Sequence, residues 1–159
     1  MNPDDTLTIR PAVAEDFADV ATLYCHLIPN DVPAAEPLQR QVFKDILDHP
    51  GMTVLLGCRY TKPIATCTLV VIPNLTRGCA PYALIENVVT DNGHRGIGYG
   101  GELLSAAIDL AWQAKCYKVM LMSGQANRKA HRFYERLGFA TTKTGLELRA
   151  PGYLPRTPD

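Results

Sequence analysis

The most chemically suggestive stretch of the chain is Thr90-Asp91-Asn92-Gly93-His94-Arg95-Gly96-Ile97-Gly98-Tyr99-Gly100-Gly101. A strand-like segment runs into it and a helix-like segment runs out. Glycine lets a backbone approach a ligand with no Cβ in the way. A helix N-terminus presents unpaired N–H groups and a partial positive charge. Together they suit a pyrophosphate, and Arg95 can add a charge-assisted contact. Other readings compete. A dinucleotide site needs GxGxxG in a βαβ unit near the start of its fold, whereas glycines 96, 98, 100 and 101 come late in this chain. A P-loop needs GxxxxGK[ST], and no such lysine is present. The third reading is tight packing of a helix on a sheet.

A second stretch decides among these. Residues 95–100 match the acetyl-CoA signature (Gln/Arg)-x-x-Gly-x-(Gly/Ala), and Asn127-Arg128-Lys129-Ala130-His131-Arg132-Phe133-Tyr134-Glu135-Arg136-Leu137-Gly138-Phe139 resembles an "N…A…FYE+LGF" segment. Both belong to the GNAT N-acetyltransferase superfamily, in this order and at about this separation. The resemblance runs from the "IRPA" start at residues 9–12 to about Phe139.

The resemblance implies a mixed, mostly antiparallel sheet flanked by helices, an α/β (α+β) fold whose fourth and fifth strands splay apart for acetyl-CoA. The pantetheine arm would pair with the edge at Val88, Val89 and Thr90 like an added strand. The N–H of Val88 or Val89 would polarise the thioester carbonyl. Arg95, Gly96, Ile97, Gly98, Tyr99, Gly100 and Gly101 would hold the pyrophosphate through their amides, and Asn127 would touch CoA. An alkylamine has a pKa near ~10 and must lose a proton before it attacks. Glu86 is the candidate base; some relatives carry the acid one residue later, at Asn87. Strict alternation along a strand allows only one of the two to face the site. Tyr134 would protonate the departing thiolate. Each residue also has a plainer reading: Tyr134 as a core tyrosine, Glu86 as a solvated strand carboxylate, Asn127 as a helix N-cap.

These groups need elements to hold them. Alternation predicts a strand over 7–10, and helical spacing of Phe17, Val20, Ala21, Tyr24 and Leu27 predicts a helix over 15–28. A second helix over 37–47 has Leu38, Val42 and Ile46 as its inner stripe. Strands over 53–60 and 63–72 are joined through Thr61-Lys62. A polar loop, a strand over 82–90 and a helix over 99–115 follow. The apolar run 117–122 reads as a central strand buried on both faces. A helix over 127–137 ends at Gly138, and strands over 139–142 and 146–149 complete the order β-α-α-β-β-β-α-β-α-β-β. Residues 1–150 form one domain and 151–159 a loose tail.

Sixteen basic and sixteen acidic residues balance, which gives no field for nucleic acid. Cys25, Cys58, Cys67, Cys79 and Cys116 are odd in number and include no CxxC pair, so a reducing cytoplasm fits better than a disulfide framework. The histidines lack metal-ligand spacing, and no metal is expected. The N-terminus is acidic with no apolar region of a signal peptide, and no run approaches a membrane span. The partner is therefore a small-molecule amine; in the loops Asp31 or Glu36 could hold a cationic amine and Arg77 a phosphate or carboxylate, while the favoured reading of all three is solvated loop charge, and the resemblance makes a homodimer the default. Two alternatives stay open: an acetyltransferase acting on protein N-termini or lysines, and a catalytically silent acyl-CoA-binding module.

Overall fold

A computed structural model describes residues 7–153. They fall into two compact units, one reaching Leu121 and the other beginning at Met122. The first contains β1 (Thr8–Pro11), α1 (Phe17–Leu27), α2 (Glu36–Asp48), β2 (Met52–Arg59), β3 (Lys62–Ile72), β4 (Tyr82–Thr90), α3 (Tyr99–Gln113) and β5 (Val119–Met120). Its sheet has the order β1-β2-β3-β4-β5. Neighbours are antiparallel except β4 and β5, which are parallel. A parallel neighbour needs a crossover, and α3 supplies it.

Residues 54–58 of β2 and 63–69 of β3 are buried without a break, as strands covered on both faces must be. On one face Val54, Leu56 and Cys58 pack with Phe17 and Val20 of α1 and Phe43 of α2. On the other, α3 lies over the sheet, and its Tyr99 clusters with Leu7 and Ile64. The entry into α1 is pinned electrostatically. Asp16, 7% exposed, accepts from Arg10 Nη1 and Nη2 at 2.7 and 2.8 Å and from the Val13 amide at 2.8 Å. The Arg10 guanidinium, aided by that amide, holds the Asp16 carboxyl below the usual carboxylate range.

Several details differ from the sequence reading. The hairpin turn is Tyr60-Thr61, because Arg59 pairs with Lys62; Tyr60 takes the left-handed φ of 55° that such a tight turn demands. In α2 only Phe43 is buried, while Leu38 and Val42 are 55% and 47% exposed. The helix is therefore rotated from its predicted stripe, because the larger aromatic side chain takes the place against Phe17, ring centroids 5.8 Å apart. The loop after β3 contains a short helical turn, Thr76–Cys79, whose Arg77, Gly78 and Cys79 have φ of 58°, 67° and 63°. The predicted central strand over 117–122 is reduced to Val119–Met120 at the end of the sheet, with Tyr117 39% and Met122 65% exposed.

In the second unit α4 (Arg128–Arg136) starts at its N-cap Asn127, whose Oδ1 accepts from the Ala130 amide at 3.0 Å. It ends as predicted at Gly138, with φ 90°. Gly138 N–H donates to the Glu135 carbonyl and Phe139 N–H to that of Tyr134, the paired bonds of a Schellman stop. The strands predicted over 139–142 and 146–149 do not form, and Leu146 and Leu148 are 92% and 100% exposed. A strand exists only with a ladder partner, and among the described residues none pairs with these segments. The tail predicted from 151 lies outside the described residues beyond Tyr153.

Candidate active site

Strand β4 carries most of the site. It pairs with β5 only at Ala83↔Val119 and Leu84↔Met120. From Ile85 to Thr90 it runs on without a strand on that side among the described residues. The backbone groups facing this gap are an open template for an extended ligand.

The β3 side of the same segment is irregular. Thr68 stands opposite Glu86, and Thr66 opposite Val89. Two residues of β4, Asn87 and Val88, thus face one of β3, Cys67, which is a β-bulge. Asn87 has φ 52°. The bulge overturns the expectation that alternation admits only one of Glu86 and Asn87 to a given face. Glu86 shares a face with Thr68 and, through it, with Val54 under α1 and α2, because directly opposed residues point the same way. Asn87 is brought to that face as well, since its side chain lies beside the Tyr24 phenol of α1, as does Thr68. Burial raises the Tyr24 phenol above its ordinary value, and these two neighbours partly offset the rise. Glu86 is half-buried, Asn87 exposed, and Val89 buried in the core.

After Thr90 the chain makes a tight turn built on Asp91. Its Oδ1 accepts from the Gly93 amide at 3.0 Å and from His94 Nδ1 at 2.6 Å, and its Oδ2 lies 3.3 Å from His26 Nδ1 at the end of α1. The His94 hydrogen bond, with help from Gly93 and His26, keeps the Asp91 carboxyl low. Arg95 donates from Nε to the Thr90 carbonyl at 3.0 Å and from Nη2 to the His26 carbonyl at 3.2 Å. Its side chain therefore braces the turn against α1. Gly96 and Gly98 take φ of 81° and 113°, which side-chain-bearing residues avoid, and nothing lies within 4 Å of where a Cβ would stand at either. The turn is open as well as conformationally demanding. Ile97 is exposed, and Gly100 and Gly101 are half-buried in the first turn of α3. Tyr99 is 2% exposed; its side chain belongs to the core, so only its backbone is available to a ligand.

In the second unit the Tyr134 ring is half-buried between Phe133 and Phe139, with centroids 5.2 and 6.0 Å away. His131 Nε2 contacts the Gly124 carbonyl at 3.0 Å and so anchors the loop before the helix. Asn127 is an N-cap, and its amide nitrogen is left for other contacts. Asp91, His26 and Tyr24 were missed as site residues. Tyr24 looked like one more apolar position of α1, and nothing local marks a contact across 63 positions of sequence. Asp91, directly after a strand and two residues before Gly93, is the readable signal, being a turn-forming residue. Among the described residues no helix is long and apolar enough to cross a membrane, and no group of three His, Cys, Asp or Glu residues is arranged to hold a metal.

The chain has relatives among known proteins. The chain is 27% identical to a glucosamine 6-phosphate N-acetyltransferase of Trypanosoma brucei brucei, over 89% of this chain and 95% of that protein. It is 28% identical to glucosamine 6-phosphate N-acetyltransferase 1 of Dictyostelium discoideum, over 98% and 96%. A solved structure from Agrobacterium tumefaciens str. C58, provisionally named an acetyltransferase, superposes with a TM-score of 0.87 at 42% identity, over 90% of this chain and 99% of that one. The model of the Acetyltransferase (GNAT) family matches residues 17–139, across both units, and the chain therefore belongs to the GNAT acetyltransferase family.

Proposed function

We propose that this N-acetyltransferase moves the acetyl group of acetyl-CoA to the primary amine of a small molecule by direct attack in a ternary complex. The observation that carries the reading is the departure of β5 from β4 after Leu84, which leaves residues 85–90 as an open edge leading straight into the turn of Gly96 and Gly98. The edge receives the pantetheine amides, and the amides of residues 95–101 receive the pyrophosphate. Both features fit that ligand, since the turn has room where side chains would otherwise stand. Val88 has no partner in either flanking strand register. Its N–H, rather than that of Val89 in the β3 ladder, donates to the thioester oxygen as negative charge develops there.

Glu86 takes a proton from the acceptor's ammonium, directly or through water, so that the neutral amine attacks the thioester carbon, and Asn87 beside it orients the water or the amine. The Tyr134 phenol gives its proton to the thiolate as the carbon–sulfur bond breaks, and Asn127 contacts CoA from the head of α4. Two relatives named for glucosamine 6-phosphate support a small amine acceptor, of which an amino-sugar phosphate is the first to try. We place the enzyme in the cytoplasm, as a homodimer.

Titration calorimetry with acetyl-CoA, with dephospho-CoA and ATP beside it, tests the cofactor. Micromolar binding of acetyl-CoA and much weaker binding of ATP is the expected result; no acetyl-CoA binding by folded protein refutes the reading. A thiol-release screen over amines, glucosamine 6-phosphate included, then tests the reaction. Tyr134→Phe and Glu86→Gln each lower turnover roughly 10²–10⁴-fold if they are the acid and base. Tight binding with no turnover on any amine would point instead to an acyl-CoA-binding module.

A further inference from the structure

The end of the sheet where β4 and β5 begin carries positive charge that no acidic side chain offsets. No Asp or Glu stands in the sequence between Asp48 and Glu86, or between Asp109 and Glu135. Strands β2, β3 and β5 and the first half of β4 therefore contain no carboxylate. Two cations lie there against two tyrosines. Lys118 Nζ is 5.3 Å from the Tyr82 ring centroid and 5.4 Å from that of Tyr117. The Arg77 guanidinium is 5.9 Å from the Tyr117 ring, and the two rings meet edge to face at 6.4 Å. A ring face attracts a cation through its quadrupole but neutralises no charge. Among the described residues neither Arg77 nor Lys118 forms an ion pair.

The backbone holds both cations in place. The Tyr117 N–H donates to the Pro81 carbonyl at 2.8 Å and the Ala83 N–H to that of Lys118 at 2.9 Å, so residues 117 and 118 run alongside Tyr82. Arg77 opens three successive residues of left-handed backbone, with φ of 58°, 67° and 63° at Arg77, Gly78 and Cys79. Residues with a Cβ adopt it reluctantly, and such outliers cluster at ligand clamps. Asn74 ties the loop across its neck, its Nδ2 donating to the carbonyls of Thr76 at 2.8 Å and Ala80 at 3.1 Å. Tyr82 and Glu86 pair regularly with Ile72 and Thr68, ahead of the bulge. Four residues apart on a regular strand, they point to the same face, about 13 Å from each other.

We propose that Arg77 and Lys118, framed by Tyr82 and Tyr117, form an anion subsite that takes a phosphate or carboxylate carried by the acceptor amine. This rests on the acetyltransferase reading for the identity of its ligand, though not for its affinity for anions. The planar guanidinium and the ammonium supply charge-assisted hydrogen bonds, and the acceptor lies along β4 with its amine toward Glu86. The acceptor class is thus an amine whose anionic group stands about a nanometre from the nitrogen.

Two readouts test this. The first uses inorganic phosphate and amide NMR on the ligand-free protein, so it decides the matter even if the acetyltransferase reading fails. Phosphate should shift the Tyr82, Tyr117 and Lys118 amides saturably, and chloride at equal ionic strength should not. The double variant Arg77→Gln, Lys118→Gln should lose these shifts and keep the parent's Tm, while Lys115→Gln, an equal charge change at an exposed neighbour, should keep them. The second readout is thiol release with paired acceptors, glucosamine 6-phosphate against glucosamine and triglycine against triglycinamide. In the parent, the anionic member of at least one pair should have kcat/KM at least tenfold higher, and which pair does so separates phosphate from carboxylate. In the double variant that ratio should fall below threefold, with kcat/KM for the uncharged member within twofold of the parent. No saturable shift at Tyr117 and Lys118, shifts that survive in the double variant, or acceptor discrimination that does so, would each overturn the proposal.

Discussion

Replacing Gly98 with alanine isolates what the glycine turn contributes. Gly98 is the residue before α3, with φ 113° and ψ −12°. No atom lies within 4 Å of the position its Cβ would take. Steric contact therefore adds nothing, and the whole cost is dihedral. Holding a side-chain-bearing residue in so sparsely populated a region costs roughly 1–3 kcal/mol. That strain has two outlets. If the turn keeps its shape, stability falls by the full amount, and at about 2–4 °C of Tm per kcal/mol for a chain of this size the melt drops by up to ~12 °C. If the turn relaxes, stability is spared, and acetyl-CoA must restore the shape as it binds. At about 1.4 kcal/mol per tenfold, its Kd then rises roughly 5- to 140-fold. The two losses together should account for the strain. Gly78→Ala is the control. It has φ 67°, equally open space and a place in the loop before β4, so it should lose about 1–2 kcal/mol of stability with acetyl-CoA affinity unchanged. Melting curves and calorimetry on both variants supply the numbers. Parental Tm together with parental acetyl-CoA affinity for Gly98→Ala would refute the assignment of this turn.

Three further outcomes follow from the first unit. Asp16→Asn should destabilise the fold by about 1–3 kcal/mol, less than a fully buried pair would lose, because the Arg10 side chain is 38% exposed. Since folding lowers the Asp16 pKa, its contribution is present above the unfolded value near ~3.9 and is lost as pH falls through the folded value; acid melts of Asp16→Asn should therefore lack that part of the parent's decline. Phe43→Ala should cost about 3–5 kcal/mol, whereas Val42→Ser, nearly half exposed on the next position of the same helix, should stay within about 0.5 kcal/mol; equal losses would mean that α2 is turned the other way. In a thiol-labelling time course, exposed Cys25 and Cys79 should react first. Burial pushes Cys67 up to about 12 and also raises Cys58 and Cys116, so these three should label only on unfolding. Early labelling of Cys67 would contradict its buried place in β3.

Much of the framework could be read along the chain because it is written in local periodicity. The bounds of β4 and the course of α1 follow from alternation and helical spacing, and the Schellman stop at Gly138 follows from one glycine after an apolar stripe. The signature residues around Gly96 and Gly98 were equally legible, since positive φ and close ligand approach both call for glycine. What could not be read depends on residues far apart in sequence. Whether 117–122, 139–142 and 146–149 become strands depends on a ladder partner, and β-propensity says nothing about who that partner is. The face that α2 buries was settled by Phe43 meeting Phe17, not by the periodicity of α2, which two stripes satisfy almost equally. The bulge at Asn87 and Val88 arises from the register of β3 against β4, with a phenol from α1 set against it. Alternation assumes an unbroken ladder, so it put Glu86 and Asn87 on opposite faces. The broken ladder puts them on one face, because backbone pairing across strands, and not sequence spacing within a strand, determines where side chains point.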